Sequence, residues 1–146
     1  MKHVNLLGTT TCLLSHVASQ EWIIDSGATH HITSAKEIFS RNHDVVKSNS
    51  DKVNLPTGAK ADVSHIGEAI VFKDEVVQDV LLVPDFKCNL LLVSKITKQL
   101  SCFVSFYPDL CVFRDLHSGK VKGIGKEKGG LYCFKYEAGM KTVPKI

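Results

Sequence analysis

The chain is cut into short apolar runs, each closed within a few positions by Gly, Pro, Asn or Asp. Trp22-Ile23-Ile24 stops at Asp25. A run that alternates over 52–55 stops at Pro56-Thr57-Gly58, and the β-branched run over 76–83 stops at Pro84. Further runs occupy 61–66, 69–72, 103–106, 110–113, 120–124 and 131–134. Short strands separated by turn residues predict an all-β fold, a barrel or a sandwich. Two stretches break the pattern. Residues 35–39 suit one helical turn, with Ser34 as cap and Glu37 three positions on. Over residues 90–100, Leu92, Val93, Ile96 and Leu100 recur at a helical period, and Asn89 stands where an N-cap would help. There is no internal repeat and no low-complexity tract.

A chain of 146 residues supplies one core, not two. With 44% hydrophobic and 23% charged residues it has the composition of a folded protein, not a disordered one. The net charge of +3 leaves no dense basic footprint, so no direct contact with nucleic acid is expected. The Lys-rich stretch over 120–128 is interrupted by Gly123, Gly125 and Glu127 and reads as a solvated loop. No apolar run approaches the ~20 residues of a membrane span. Met1-Lys2-His3 with Val4, Leu6 and Leu7 has the look of a signal peptide, but Gly8-Thr9-Thr10-Thr11 breaks the apolar region early, so an unstructured lead-in is expected. The cysteines (Cys12, Cys88, Cys102, Cys111 and Cys133) are odd in number and form no CxxC. That suggests neither a disulfide framework nor a zinc ribbon and suits reduced thiols inside a cell.

The informative stretch is Trp22-Ile23-Ile24-Asp25-Ser26-Gly27-Ala28-Thr29. Asp25 directly follows three large apolar residues, so it should emerge at the end of a buried strand. A carboxylate there needs donors or it stays protonated. Ser26 supplies a hydroxyl, Gly27 lets backbone and solvent approach and can donate its own N–H, and Ala28 keeps the far side small. Asp-Ser-Gly is also an ordinary turn, with Asp capping its own backbone. The same local chemistry serves an aspartic protease, in which two adjacent carboxylates share one proton. Other combinations are weaker. His30 and His31, read with Cys102 or Cys111 as a metal site, would point to opposite faces of a strand, so one exposed and one partly packed histidine is the default. Nothing nearby lowers the pKa of Cys88 toward a nucleophile served by His65 or His43, and a packed thiol is expected. No metal and no cofactor is expected.

The span from Trp22 to Thr33 resembles the opening of copia-type retrotransposon proteases, members of the retropepsin family. Those begin with an aromatic, two aliphatics and Asp-Ser-Gly-Ala, then a Thr-x-His and a small polar residue. Val53-Asn54-Leu55-Pro56-Thr57-Gly58 is similar to the family's flap strand and turn, with Thr57 where Asp is usual. Gly67-Glu68-Ala69-Ile70-Val71 is similar to the strand that follows. Val80-Leu81-Leu82-Val83-Pro84-Asp85-Phe86-Lys87-Cys88-Asn89-Leu90-Leu91 resembles a further family segment, with Leu92 where Ser is expected. Gly129-Gly130-Leu131-Tyr132 resembles the family's closing Gly-Leu-Tyr.

The resemblance implies a retropepsin-like acid-protease β-barrel with one short helix near 90–100 and a C-terminal β extension. It divides the chain into a lead-in over 1–19, a protease core over 20–100, an extension over 101–137 leading toward an integrase region, and a tail over 138–146. Asp25 would be catalytic, with Ser26, Gly27, Ala28 and Thr29 supporting its loop. Pro56, Thr57, Gly58 and Ala59 would form the flap. Asn89, Leu90 and Leu91 would pack against the active-site loop. The implied activity is aspartic endopeptidase processing of a Gag-Pol polyprotein, in the cytoplasm within a virus-like particle. Only one Asp-Ser/Thr-Gly occurs in the chain. A second copy would therefore have to supply the second Asp25 across a two-fold homodimer. The other reading is a domain that keeps the fold without proteolysis and binds peptides or dimerises.

Overall fold

The computed structural model describes residues 21–27, 29–39, 46–47, 52–54 and 58–135. The lead-in, the tail, Cys12, Ala28, His43, Pro56 and Thr57 lie outside the described residues. In chain order come β1 (Glu21–Asp25), β2 (His31–Thr33), a 3-10 turn (Lys36–Ile38), β3 (Val46–Lys47), β4 (Lys52–Asn54), β5 (Lys60–Asp62), β6 (His65–Val71) and β7 (Glu75–Leu82). They are followed by β8 (Asn89–Leu92), helix α1 (Val93–Leu100), β9 (Cys102–Phe106), β10 (Leu110–Asp115), β11 (Val121–Lys128) and β12 (Leu131–Lys135). Among the described residues the fold is all-β with one short helix, as the punctuation of the sequence predicts. Ten strands form one sheet in the order β3-β6-β7-β2-β8-β1-β12-β11-β10-β9, and β4 and β5 pair separately. The sheet runs from β3 to β9 without closing on itself.

The apolar run of β1 is continuous because both faces of the strand are covered. Trp22 and Ile24 point into one apolar cluster with Leu91, Ile96, Leu100, Phe113 and Phe134. Ile23 points the other way, into a cluster with Ile32, Val53, Val63, Leu81 and Leu90. The first cluster lies under α1 and the β9–β10 hairpin. The second lies under the β4–β5 hairpin. Strand β8 is buried along its whole length for the same reason.

Local expectations shift where tertiary contacts compete. The helix expected over 90–100 starts at Val93, with Leu92 as its N-cap and no side-chain cap bond. Asn89, Leu90 and Leu91 form a strand instead, because β8 pairs in parallel with β1. Ser34 makes no cap for the short turn over 36–38, which begins after Ala35. The Ala35 N–H is taken by Thr33 Oγ1 at 3.0 Å. The run over 61–66 divides at Val63 and Ser64 between the hairpin and the large sheet. The Lys-rich stretch is no loop. It is β11, paired with β10 and β12.

The extension is built into the core rather than appended to it. β12 pairs antiparallel with β1, Trp22 opposite Phe134 and Ile24 opposite Tyr132. At the β6–β7 turn Phe72 takes a positive φ of 65°, and its ring stacks on Phe113 and Phe134 at 4.9 and 5.0 Å. Gly123 of β11 makes room for that ring, since a Cβ there would lie 2.1 Å from it. Lys122 bonds Glu75 at 2.9 Å, and Lys128 bonds Glu21 at 2.7 Å. Cys88, Cys102, Cys111 and Cys133 are buried. Burial pushes the Cys102 and Cys111 thiols up, away from reactivity. Among the described residues no helix is long and apolar enough to cross a membrane.

Candidate active site

Asp25 is the last residue of β1, at the point where the chain leaves the sheet. β1 lies between β8, which is parallel to it, and β12. From Asp25 the chain runs through residues 26–30 and re-enters the sheet as β2 on the far side of β8. The loop therefore crosses the end of β8, where Leu92 lies in register with Asp25. Asp25 is only 7% exposed, and the Gly27 N–H donates to its Oδ1 at 2.7 Å. This is the donor that a glycine at that position can bring close. Ser26 and Thr29 are exposed on the outer side of the loop, and Thr29 Oγ1 contacts His30 Nδ1 at 2.9 Å.

The loop is held at its base by buried side chains. Thr33 Oγ1 donates to Asn89 Oδ1 at 2.6 Å, and Asn89 Nδ2 donates to the Glu21 carbonyl at 3.0 Å. Asn89 thus joins β8 to both of its neighbours. At the other end of β8 the Leu92 N–H donates to His31 Nδ1 at 3.0 Å. His30, in the bend before β2, is half-buried, and His31, the first residue of β2, is fully buried. Burial holds the His31 pKa down to about 4, and the nearby Lys95 and His30 lower it further. Gln99 and Asp79 act in the opposite sense. A neutral ring that accepts at Nδ1 carries its proton on Nε2.

A cleft of about 290 Å³ opens beside Asp25. Asp25 and Ser26 form one side, and Val93 from α1 adds to it. Phe106, Leu131 and Tyr132 from the extension form the other. The Phe106 and Tyr132 rings meet edge-on at 5.1 Å, and the Tyr132 hydroxyl donates to the Tyr107 carbonyl at 2.6 Å. Among the described lining residues Asp25 is the sole carboxylate. One carboxylate can act as base or as acid, but not as both at once. The sequence motif Gly129-Gly130-Leu131-Tyr132 is thus brought beside the Asp25 loop, more than a hundred positions away, which no spacing in the sequence could signal.

The β4–β5 hairpin stands elsewhere. Its Lys52 and Val53 line a second cleft, of about 420 Å³, with His30, Val63, Asp79 and Leu81. Gly58, at φ 93°, and Ala59 are exposed near its tip, and Lys52 pairs with Asp62. The hairpin faces the far end of the active-site loop, and its described residues do not line the Asp25 cleft.

A family model described as Pol polyprotein, beta-barrel domain, matches residues 22–102. Over 121 residues the chain is 31% identical to the retrovirus-related Pol polyprotein from transposon RE1 of Arabidopsis thaliana, covering 81% of the chain and 8% of that protein. Over 117 residues it is 32% identical to the corresponding polyprotein from transposon RE2 of the same plant, covering 78% of the chain and 8% of that protein. The chain therefore spans less than a tenth of the length of these relatives. No solved structure matches it.

Proposed function

The chain belongs to the Pol polyprotein beta-barrel domain family, and from that premise we propose that it is an aspartic endopeptidase that processes the polyprotein, active as a homodimer. The carrying observation is the Asp25 carboxylate. It is buried at the end of β1, bonded by the Gly27 N–H, and opens onto a cleft that holds no second carboxylate among its described lining residues. A second copy related by a two-fold axis supplies the missing group from an identical surface. The two carboxylates then share one proton, because two like charges so close cannot both ionise. The ionised Asp25 takes a proton from water. Asp25 of the partner copy, protonated, donates to the scissile carbonyl oxygen as the water oxygen adds to its carbon. The tetrahedral species then collapses, the C–N bond breaks, the amine leaves with the proton taken from water, and no covalent enzyme intermediate forms. Ser26, exposed beside Asp25, lies where the second loop would meet it. The substrate is a segment of the polyprotein, and the setting is the virus-like particle in the cytoplasm.

The test incubates the chain and its Asp25→Asn variant with a polyprotein segment across acidic pH, with and without pepstatin. Cleavage by the parent, inhibited by pepstatin and abolished in the variant, is the expected result. Equal cleavage by both proteins rejects the assignment of Asp25. A folded, dimeric parent that binds the segment and never cuts it rejects the protease and leaves a peptide-binding module.

A further inference from the structure

The base of the Asp25 loop contains a histidine that the proposed chemistry does not use. His31 is fully buried, its Nε2 makes no hydrogen bond of ordinary geometry among the described residues, and Gln99 is the polar side chain that acts on the ring. Leaving a buried polar atom unpaired is costly. A phenylalanine would fill a similar space without that cost, so the imidazole must serve through its other nitrogen. That nitrogen accepts the Leu92 N–H at 3.0 Å.

The bond sits at a junction. Leu92 is in register with Asp25, ends β8, and is the residue from which α1 starts without a side-chain cap. His31 is the first residue of β2, directly after the loop. The backbone ladder between β2 and β8 has one register pair, Ile32 with Leu90. The loop-proximal ends of the two strands are therefore joined chiefly by the His31 side chain. We propose that His31 is a positioning residue for Asp25, its ring acting as the acceptor that clamps the end of β8 to the start of β2 and so fixes both feet of the active-site loop.

The clamp needs a neutral ring, because a protonated Nδ1 donates and can no longer accept. The groups that face the ring are His30 on the loop, Asp79 on β7, and Lys95 and Gln99 on α1. The opposing charges of Asp79 and Lys95 leave burial as the force that keeps the ring neutral. Acid that overcomes it loosens the loop that carries Asp25.

The inference rests on Asp25 being catalytic, so Asp25→Asn is assayed in parallel. His31→Phe keeps the shape and removes the acceptor. His31→Asn keeps an acceptor oxygen near the Nδ1 position and removes the titration. His31→Phe should lower kcat about tenfold or more with KM within about twofold, the signature of misplacement rather than lost binding. His31→Asn should recover most of kcat, and the acid limb of its pH profile should move to lower pH than that of the parent. Parental kcat in His31→Phe, or equal impairment in both variants, overturns the clamp. If His31→Phe fails to fold, the acid limbs of the parent and His31→Asn decide, and superimposed limbs overturn it. Cleavage by Asp25→Asn defeats the catalytic assignment of Asp25 instead. A parent that never cuts is tested by the carbon-13 titration of the Asp25 carboxyl, which should differ between the parent and His31→Asn, and identical curves overturn the clamp.

Discussion

Charging His31 places a cation in a fully buried site, at a cost to the folded state. The unfolded ring titrates at 6.5 and the folded ring at about 4. Between these values the unfolded chain holds the extra proton, so stability falls as pH falls through that window. Below about 4 both states are protonated and the loss is complete. At about 1.4 kcal/mol per unit, the loss is on the order of 3 kcal/mol. Urea unfolding of the parent and of His31→Asn at pH 7.5 and pH 4.5 isolates this contribution. The parent should lose stability by that much more than the variant, and parallel losses would assign the acid sensitivity to other groups. Asn89 gives a second prediction at this scale. Asn89→Ala removes the acceptor of the Thr33 hydroxyl and the donor to the Glu21 carbonyl. Each buried group left unpaired costs about 1–3 kcal/mol. The urea midpoint should fall with an unchanged slope, and an unaltered midpoint would mean that water replaces both bonds.

The β6–β7 turn lies directly on β11. The Phe72 ring fills the space above Gly123 and is itself packed against Phe113 and Phe134. Gly123→Ala forces that ring to move, and overpacking of this kind costs about 1–3 kcal/mol. Phe72→Leu removes the obstructing ring. The double variant should then be more stable than the sum of the two single losses predicts. Simple additivity in thermal or urea unfolding would locate the cost elsewhere. The lysines of β11 were legible in the sequence only as a charged, glycine-broken stretch. What makes them a strand is the pairing with β10 and β12, and Lys122 and Lys128 find Glu75 and Glu21 through that pairing.

The whole molecule depends on the extension. β12 covers the flank of β1 opposite β8, and Cys111, Phe113 and Phe134 share a cluster with Trp22 and Ile24. A chain ending at residue 101 loses this cover and bares the edge of the strand that carries Asp25. It should fail to unfold cooperatively and should aggregate through the open edge. A truncated chain that is soluble, cooperative and as active as the parent would show the extension to be dispensable. If each chain holds half a site, specific activity should also fall on dilution as the dimer dissociates. Constant specific activity from a species of monomer mass in sedimentation would reject the half-site arrangement.

The all-β class and the place of Asp25 were readable from residues alone, because both follow from local rules. Turn residues end strands wherever they occur, and an acidic residue after Trp22-Ile23-Ile24 has to sit at the end of a buried strand. Gly27 was readable as the donor for the same reason, since it lies two positions from the carboxylate. The tertiary structure decided what depends on partners distant in the chain. Residues 90–92 have a helical period but become a strand, because parallel pairing with β1 satisfies their backbone. His31 reads as a partly packed histidine until Leu92, sixty-one positions away, donates to it. Phe106 and Tyr132 reach the Asp25 cleft through the sheet order, which hydrophobic patterning does not encode, because any strand with an apolar face can lie beside any other.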